Sequence, residues 1–195
     1  MICLLECIDR GNPAGKRDYA ILLLVARLGI RVSDIKSLKL SDLDWQSKTI
    51  QVKQSKTNNK VIYPILNDVG WAIIDYLKNA RPITDSPFVF IRMSAPYEAF
   101  GKDANLYHII SKYTRLAGIT IPRGKKHGLH SLRHTLASTL LEQGTPLPII
   151  SEILGHFNSK STGGYLHTGI EGLRTCALHV LKGDRIILVI YGNMV

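Results

Sequence analysis

The chain has 195 residues, 45% of them hydrophobic, with a formal charge of +10 and a sequence pI near 9.6. That length suits one domain or a domain with a tail, and the charge favours a polyanionic partner, nucleic acid or an anionic membrane surface. No run approaches the ~20 apolar residues of a membrane span, the N-terminus lacks signal-peptide order, and Cys3, Cys7 and Cys176 form neither a CxxC pair nor an even framework. Export, membrane insertion and a disulfide scaffold are therefore set aside, and a cytoplasmic protein is expected.

Met1 to Asp9 reads as a short apolar helix and Gly11 to Lys16, GNPAGK, as a turn. That turn imitates a phosphate loop, but it has three residues between its glycines where four are needed, and Arg17 where a Ser or Thr must follow the lysine. Arg17 to Leu28 is an apolar helix closed by Gly29, and Ser33 can cap a second short helix carrying Ile35 and Leu38. Arg31 falls in the joint, either as a solvated loop residue or as a cation held rigidly between two helix ends.

Thr49 to Lys53 and Val61 to Ile65 alternate apolar and polar around the turn residues QSKTNN, which predicts a β-hairpin with Lys56 at its tip and Lys53 and Lys60 on its flanks. A lysine tip also serves simply to solubilise an edge. Asn67 or Asp68 caps a helix through Leu77 with Trp71, Ile74 and Leu77 as its core face, and Pro82 blocks continuation. Phe88 to Ile91 suggests a short strand, followed by an irregular loop from Met93 to Lys102. Asn105 to Ala117 is a helix ended by Gly118.

Arg123, Lys125, Lys126 and His127 form a basic loop that leads into the segment richest in chemistry. Ser131 to Gln143 is a helix with Leu132, Leu136 and Leu140 on one face and Gly144 as terminator. Thr145 as N-cap and Pro146 at the first position open a further helix, which Gly155 ends, so that His156 sits just past a helix end. His130 and Arg133 are three apart and share a face. Tyr165 follows His156 by nine residues after a Ser/Thr/Gly-rich turn. Taken singly, such histidines are commonly surface or capped residues. Taken together, an arginine that grips non-bridging oxygens and a phenol that attacks phosphorus are the parts needed to handle a phosphodiester. A zinc site on His127, His130 and His134 is the competing reading, without an HExxH motif or an obvious carboxylate partner.

The run HSLRHTLAS, then LGH, then Tyr165, with Arg31 in LGIRVSDI and Lys56 in QSKTNNK, resembles the catalytic domain of the tyrosine site-specific recombinases, the phage-integrase family. The resemblance covers about residues 15 to 175. It implies a mainly helical α+β fold with a small antiparallel sheet, the fold of DNA breaking-rejoining enzymes. It also implies that Arg31 and Arg133 hold the scissile phosphate with His156, that Tyr165 is the nucleophile, that Lys56 protonates the leaving 5′-oxygen and that His130 assists proton transfer at the tyrosine. Lys53, Lys60, Arg123, Lys125 and Lys126 would contact DNA. Double-stranded DNA is the implied partner, a homo-oligomer (a tetramer on DNA) the implied assembly, and neither metal nor cofactor is required.

Three departures accompany the resemblance. No N-terminal DNA-clamp domain is expected ahead of a catalytic domain at residues 1 to 175. Gly163 and Gly164 weaken helix formation before Tyr165. After a helix from Glu171 to Leu181, the tail to Val195 ends in the β-branched run RIILVIYGNMV, which reads as a strand, an exchanged tail or an altered terminus. A catalytically impaired DNA-binding relic and a type IB topoisomerase are the alternatives that share these residues.

Overall fold

A computed structural model describes residues 4–121 and 128–155 of the chain. The first element, α1 (Pro13–Leu28), starts four residues before the expected Arg17. Asn12 accepts the amide of Gly15 on its side chain, and Pro13 supplies a helical φ at a position that has no amide to lose. What looks like a turn in GNPAGK is therefore a helix cap. Residues 4–7 form a turn where a helix was expected. The helix α1 runs through the middle of the molecule, with Ile21, Leu22 and Leu24 wholly buried, and packs against two later helices, α3 (Asn67–Asn79) and α5 (Leu129–Glu142).

Gly29 ends α1 with φ +64, and a Cβ there would lie 2.7 Å from Leu154 Cδ2. Only glycine both adopts that backbone and admits that neighbour. The short helix α2 (Val32–Ser37) follows, with Arg31 rather than Ser33 at its N-cap. The sheet is three antiparallel strands in sequence order, β1 (Leu43–Asp44), β2 (Thr49–Lys53) and β3 (Lys60–Pro64), with Ile50 opposite Tyr63 and Lys53 opposite Lys60. Two-residue β1 is too short to announce itself in sequence. Period-two burial places Ile50, Val52, Val61 and Tyr63 on the core face.

In α3 the buried positions are Val69, Ala72, Ile73 and Tyr76, so Trp71, expected in the core, is 70% exposed. Asp68, at the start of the same helix, pairs with the buried guanidinium of Arg27 on α1 at 2.9 Å. Phe88 and Ile91 make only isolated bridges, to Lys39 and Ala99, instead of a strand. Arg81 replaces the missing ladder by donating to the carbonyls of Ser86, Phe88 and Val89. The ammonium of Lys36 likewise holds the following loop through the carbonyls of Gly101, Lys102 and Ala104.

Helix α4 (Tyr107–Leu116) begins with Asn105 accepting the amide of Tyr107. A buried network ties it to α1: Tyr113 donates to Asp18, which also receives the guanidinium of Arg17. The last two described helices, α5 and α6 (Leu147–Ile153), enclose a separate small cluster of Leu136, Leu140, Ile150, Ile153 and Leu154. The N-cap of α6 is Pro146, one residue later than expected. The fold is the expected mainly helical α+β arrangement, and no described helix is long and apolar enough to cross a membrane.

Candidate functional site

Two helix ends and one hairpin tip meet at the face formed by the α1–α2 joint, the start of α5 and the end of α6. Arg31 lies in the joint with its side chain 13% exposed. Its Nη2 donates to the carbonyl of Gly155 at 3.2 Å. Its Nη1 is buried and has no hydrogen-bond acceptor among the described residues, where Asp34 Oδ2 stands 3.9 Å away. Burying a guanidinium N–H without an acceptor costs roughly 1–3 kcal/mol, a cost that an incoming anion removes.

Arg133 sits one turn into α5 and is buried. Its two terminal nitrogens donate to the carbonyls of Gly29 and Leu154, the residues that end α1 and α6. The guanidinium thus spans both hydrophobic clusters. Burial and the neighbouring charge of Arg31 lower its pKa to about 10, which leaves it cationic at neutral pH but marks a charge held at a cost. A phosphate placed between the two guanidiniums would offset both the desolvation and the mutual repulsion.

His130, on the same side of α5 as Arg133, is solvent-exposed. Its pKa is lowered by desolvation first, then by the charges of Arg133, His134, Lys56 and Arg31. Both effects disfavour the imidazolium and favour the neutral ring, the form that accepts a proton. The same interactions show that Lys56 lies close enough to His130 for its charge to be felt. Lys56 occupies the turn between β2 and β3 and is exposed, with Lys53 and Lys60 paired across the strands below it, both exposed.

Three residues of this site carry no motif. Asp34 on α2 is buried and takes the amide and hydroxyl of Ser55 at 2.9 and 2.7 Å, so one carboxylate fixes the base of the lysine turn beside Arg31. Gln54 is 1% exposed and donates to the Gly155 carbonyl at 3.2 Å. Tyr63 on β3 lies under the arginines, whose charges pull its pKa down against a larger upward push from burial, leaving it raised to about 12. A buried neutral phenol of that kind is no nucleophile. The sequence signal for Gln54 is its phase: it continues Ile50 and Val52 at period two, a polar residue on the inward face. Asp34 is the corresponding case on a helix, four residues before buried Leu38.

Four of the six expected catalytic residues are therefore brought together from positions 31, 56, 130 and 133. His156 and Tyr165, and the basic residues Arg123, Lys125 and Lys126, lie outside the described residues, as does the tail beyond 175. Among the described residues no group of three His, Cys, Asp or Glu side chains could hold a metal ion; His127 of the zinc alternative lies outside them.

Comparison with known proteins agrees with this geometry. The family model described as the phage integrase family matches residues 3–171. A protein of Sinorhizobium fredii assigned by name to the integrases/recombinases, y4gC, is 43% identical over 167 residues, covering 86% of this chain and 84% of that protein. The tyrosine recombinase XerC of Staphylococcus haemolyticus is 33% identical over 92% of this chain, which spans 58% of XerC. The crystal structure of the XerA recombinase superposes with a TM-score of 0.65 at 28% identity, covering 93% of this chain and 62% of that one. Relative to the latter two, the chain spans about three fifths of their length.

Proposed function

The chain belongs to the phage integrase family, and from that premise we propose that it breaks and rejoins double-stranded DNA at specific sites through a 3′-phosphotyrosyl intermediate. The observation that carries this reading is the pair of guanidiniums, one buried and one nearly so, the latter with an N–H that has no acceptor among the described residues, beside a histidine whose pKa is lowered and a lysine at an exposed tip.

In the forward step the Tyr165 oxygen forms a bond to phosphorus while the bond from phosphorus to the 5′-oxygen breaks. The phenolic proton passes towards His130, whose lowered pKa favours the neutral ring that can take it. Lys56 gives a proton to the departing 5′-oxygen. Arg31 and Arg133 hold the non-bridging oxygens, joined by His156, and stabilise the charge that gathers there in the transition state. A free phenol has a pKa near ~10, so attack at neutral pH depends on this combination of base and cations. One phosphodiester is exchanged for one phosphotyrosine, so no external energy source is consumed, and the free 5′-hydroxyl of a partner duplex reverses the step.

Lys53, Lys60, Arg123, Lys125 and Lys126 extend the positive surface along the backbone of the duplex, giving affinity that falls steeply with salt. Exchange between two duplexes requires four strand cleavages, hence four nucleophiles, which favours a homotetramer on DNA. The test is incubation with a nicked suicide duplex built from the DNA flanking the gene, with EDTA present. A denaturation-resistant protein–DNA adduct is expected from the wild type and none from Tyr165→Phe. DNA binding without an adduct would sink the reading in favour of a catalytically impaired relic.

A further inference from the structure

The hairpin that carries Lys56 is closed on itself by a single residue. Gln54 receives a bond to its carbonyl from the amide of Asn58, and its own amide donates to Asn59, each at 2.9 Å. Its side-chain oxygen accepts the hydroxyl of Thr57 at 2.7 Å. Its side-chain nitrogen leaves the hairpin and reaches Gly155, whose carbonyl also receives Arg31. Gly155 has φ +61, and a Cβ there would come within 1.9 Å of Gln54 Nε2. The Gln54 amide thus occupies the space that a side chain at position 155 would need. Lys56 is two residues from Gln54, and His156 is the next residue after Gly155.

We propose that Gln54 is a positioning residue that sets Lys56 against the arginine pair, by locking the closed hairpin loop to the turn after α6 through the Gly155 carbonyl. The inference rests on the recombinase reading above. A neutral amide suits the task for a chemical reason. It supplies a donor to Gly155 and an acceptor to Thr57 at once, which neither a hydrocarbon nor a carboxylate does. A carboxylate at this point would face the Gly155 carbonyl without a proton to offer and would pair with Arg31, which is already lightly satisfied, thereby competing with the phosphate.

A brace that only stabilises the hairpin would slow every reaction of the enzyme alike. A residue that places the proton donor matters only when the leaving group needs a proton. The suicide duplex is therefore made in two forms, with the natural 5′-oxygen or with a bridging 5′-sulfur, whose thiolate leaves without protonation. For Gln54→Met, close in size, the rate of adduct formation is expected to fall about tenfold on the oxygen duplex and to stay near wild type on the sulfur duplex. Gln54→Glu is expected to show that loss and also to need several-fold more DNA for half-maximal rate. Thr57→Val keeps Gln54 but removes the hydroxyl that orients its amide; about a threefold loss with the same oxygen dependence is expected, and it supplies the test should Gln54→Met fail to fold. Equal losses on both duplexes, or none on either, would overturn the assignment. Absence of an adduct from the wild type would overturn the recombinase reading and this inference with it, and is seen before any variant is compared.

Discussion

The arginine pair and the lysine tip are two ways of holding a cation. Arg31 and Arg133 are buried or nearly so, and their nitrogens are fixed by backbone carbonyls at the ends of α1 and α6, at Gly29, Leu154 and Gly155. Lys56 is exposed on a turn, and its place is set indirectly, through Ser55 on Asp34 and Gln54 on Gly155. The difference suits the tasks proposed for them. Groups that stabilise developing charge gain most when they are desolvated and preorganised. A group that gives up a proton and must take one back needs solvent and some freedom. The lowered pKa of Arg133 records what the first arrangement costs before an anion arrives.

The contrast can be broken most sharply at Arg133. Arg133→Ala should lower the adduct rate by about 10²–10³-fold, and Arg133→Lys should not restore it, since an ammonium cannot bridge the carbonyls of Gly29 and Leu154 as the planar fork does. Recovery with lysine would show that charge alone suffices. Lys56→Ala comes next, with a loss of about 10²-fold on a 5′-oxygen leaving group, largely relieved by a 5′-sulfur, and no measurable change in Tm, because the residue is exposed. A lowered melting temperature in that variant would mean the tip is part of the framework after all.

Gly155→Ala tests the joint between the two arrangements. Its positive φ and the 1.9 Å approach to Gln54 predict a loss of about 1–3 kcal/mol in denaturant titration. Sulfate as a phosphate mimic should stabilise the free protein by about 1 kcal/mol at concentrations several-fold above its Kd, an effect retained in Lys56→Ala and abolished in Arg31→Ala. The smallest effect concerns His130. Its folded pKa is below 6.5, so the unfolded chain binds more protons just under that pH, and stability should fall as pH drops through that window and be fully present above it. Adding DNA should raise the His130 pKa, readable from its imidazole NMR shifts, because a phosphate offsets the cations that lower it.

The site was legible in sequence where a residue type and a helix boundary coincide. The 3.6-residue period and a terminating glycine placed Arg31 after Gly29 and His130 with Arg133 at the start of a leucine-striped helix, while the roles proposed for them came from the resemblance to the family. Lys56 followed from alternation on both sides of a turn. What escaped were single polar residues whose role is set by distant partners. Asp34 meets Ser55 and Gln54 meets Gly155 only in the folded chain, the latter across 101 positions. Trp71 misled because two apolar stripes at helical spacing compete in α3, one of Trp71, Ile74 and Leu77 and one of Val69, Ala72, Ile73 and Tyr76, and the folded chain buries the second. The expected strand at Phe88 to Ile91 is reduced to two isolated bridges, and Arg81 donates to the carbonyls of Ser86, Phe88 and Val89.

Arg133 joins the carbonyl that ends α1 to the carbonyl that ends α6, and so links the main core to the small cluster between α5 and α6. On the proposed mechanism the same side chain is reagent and rivet. Under relaxed selection, this has a consequence for how such a chain decays. A mutation at Arg133 damages shape along with activity and is purged by aggregation and proteolysis, whereas one at Lys56 silences strand cleavage in a protein that still folds. Lineages that drift towards inactivity should therefore lose the lysine before Arg133.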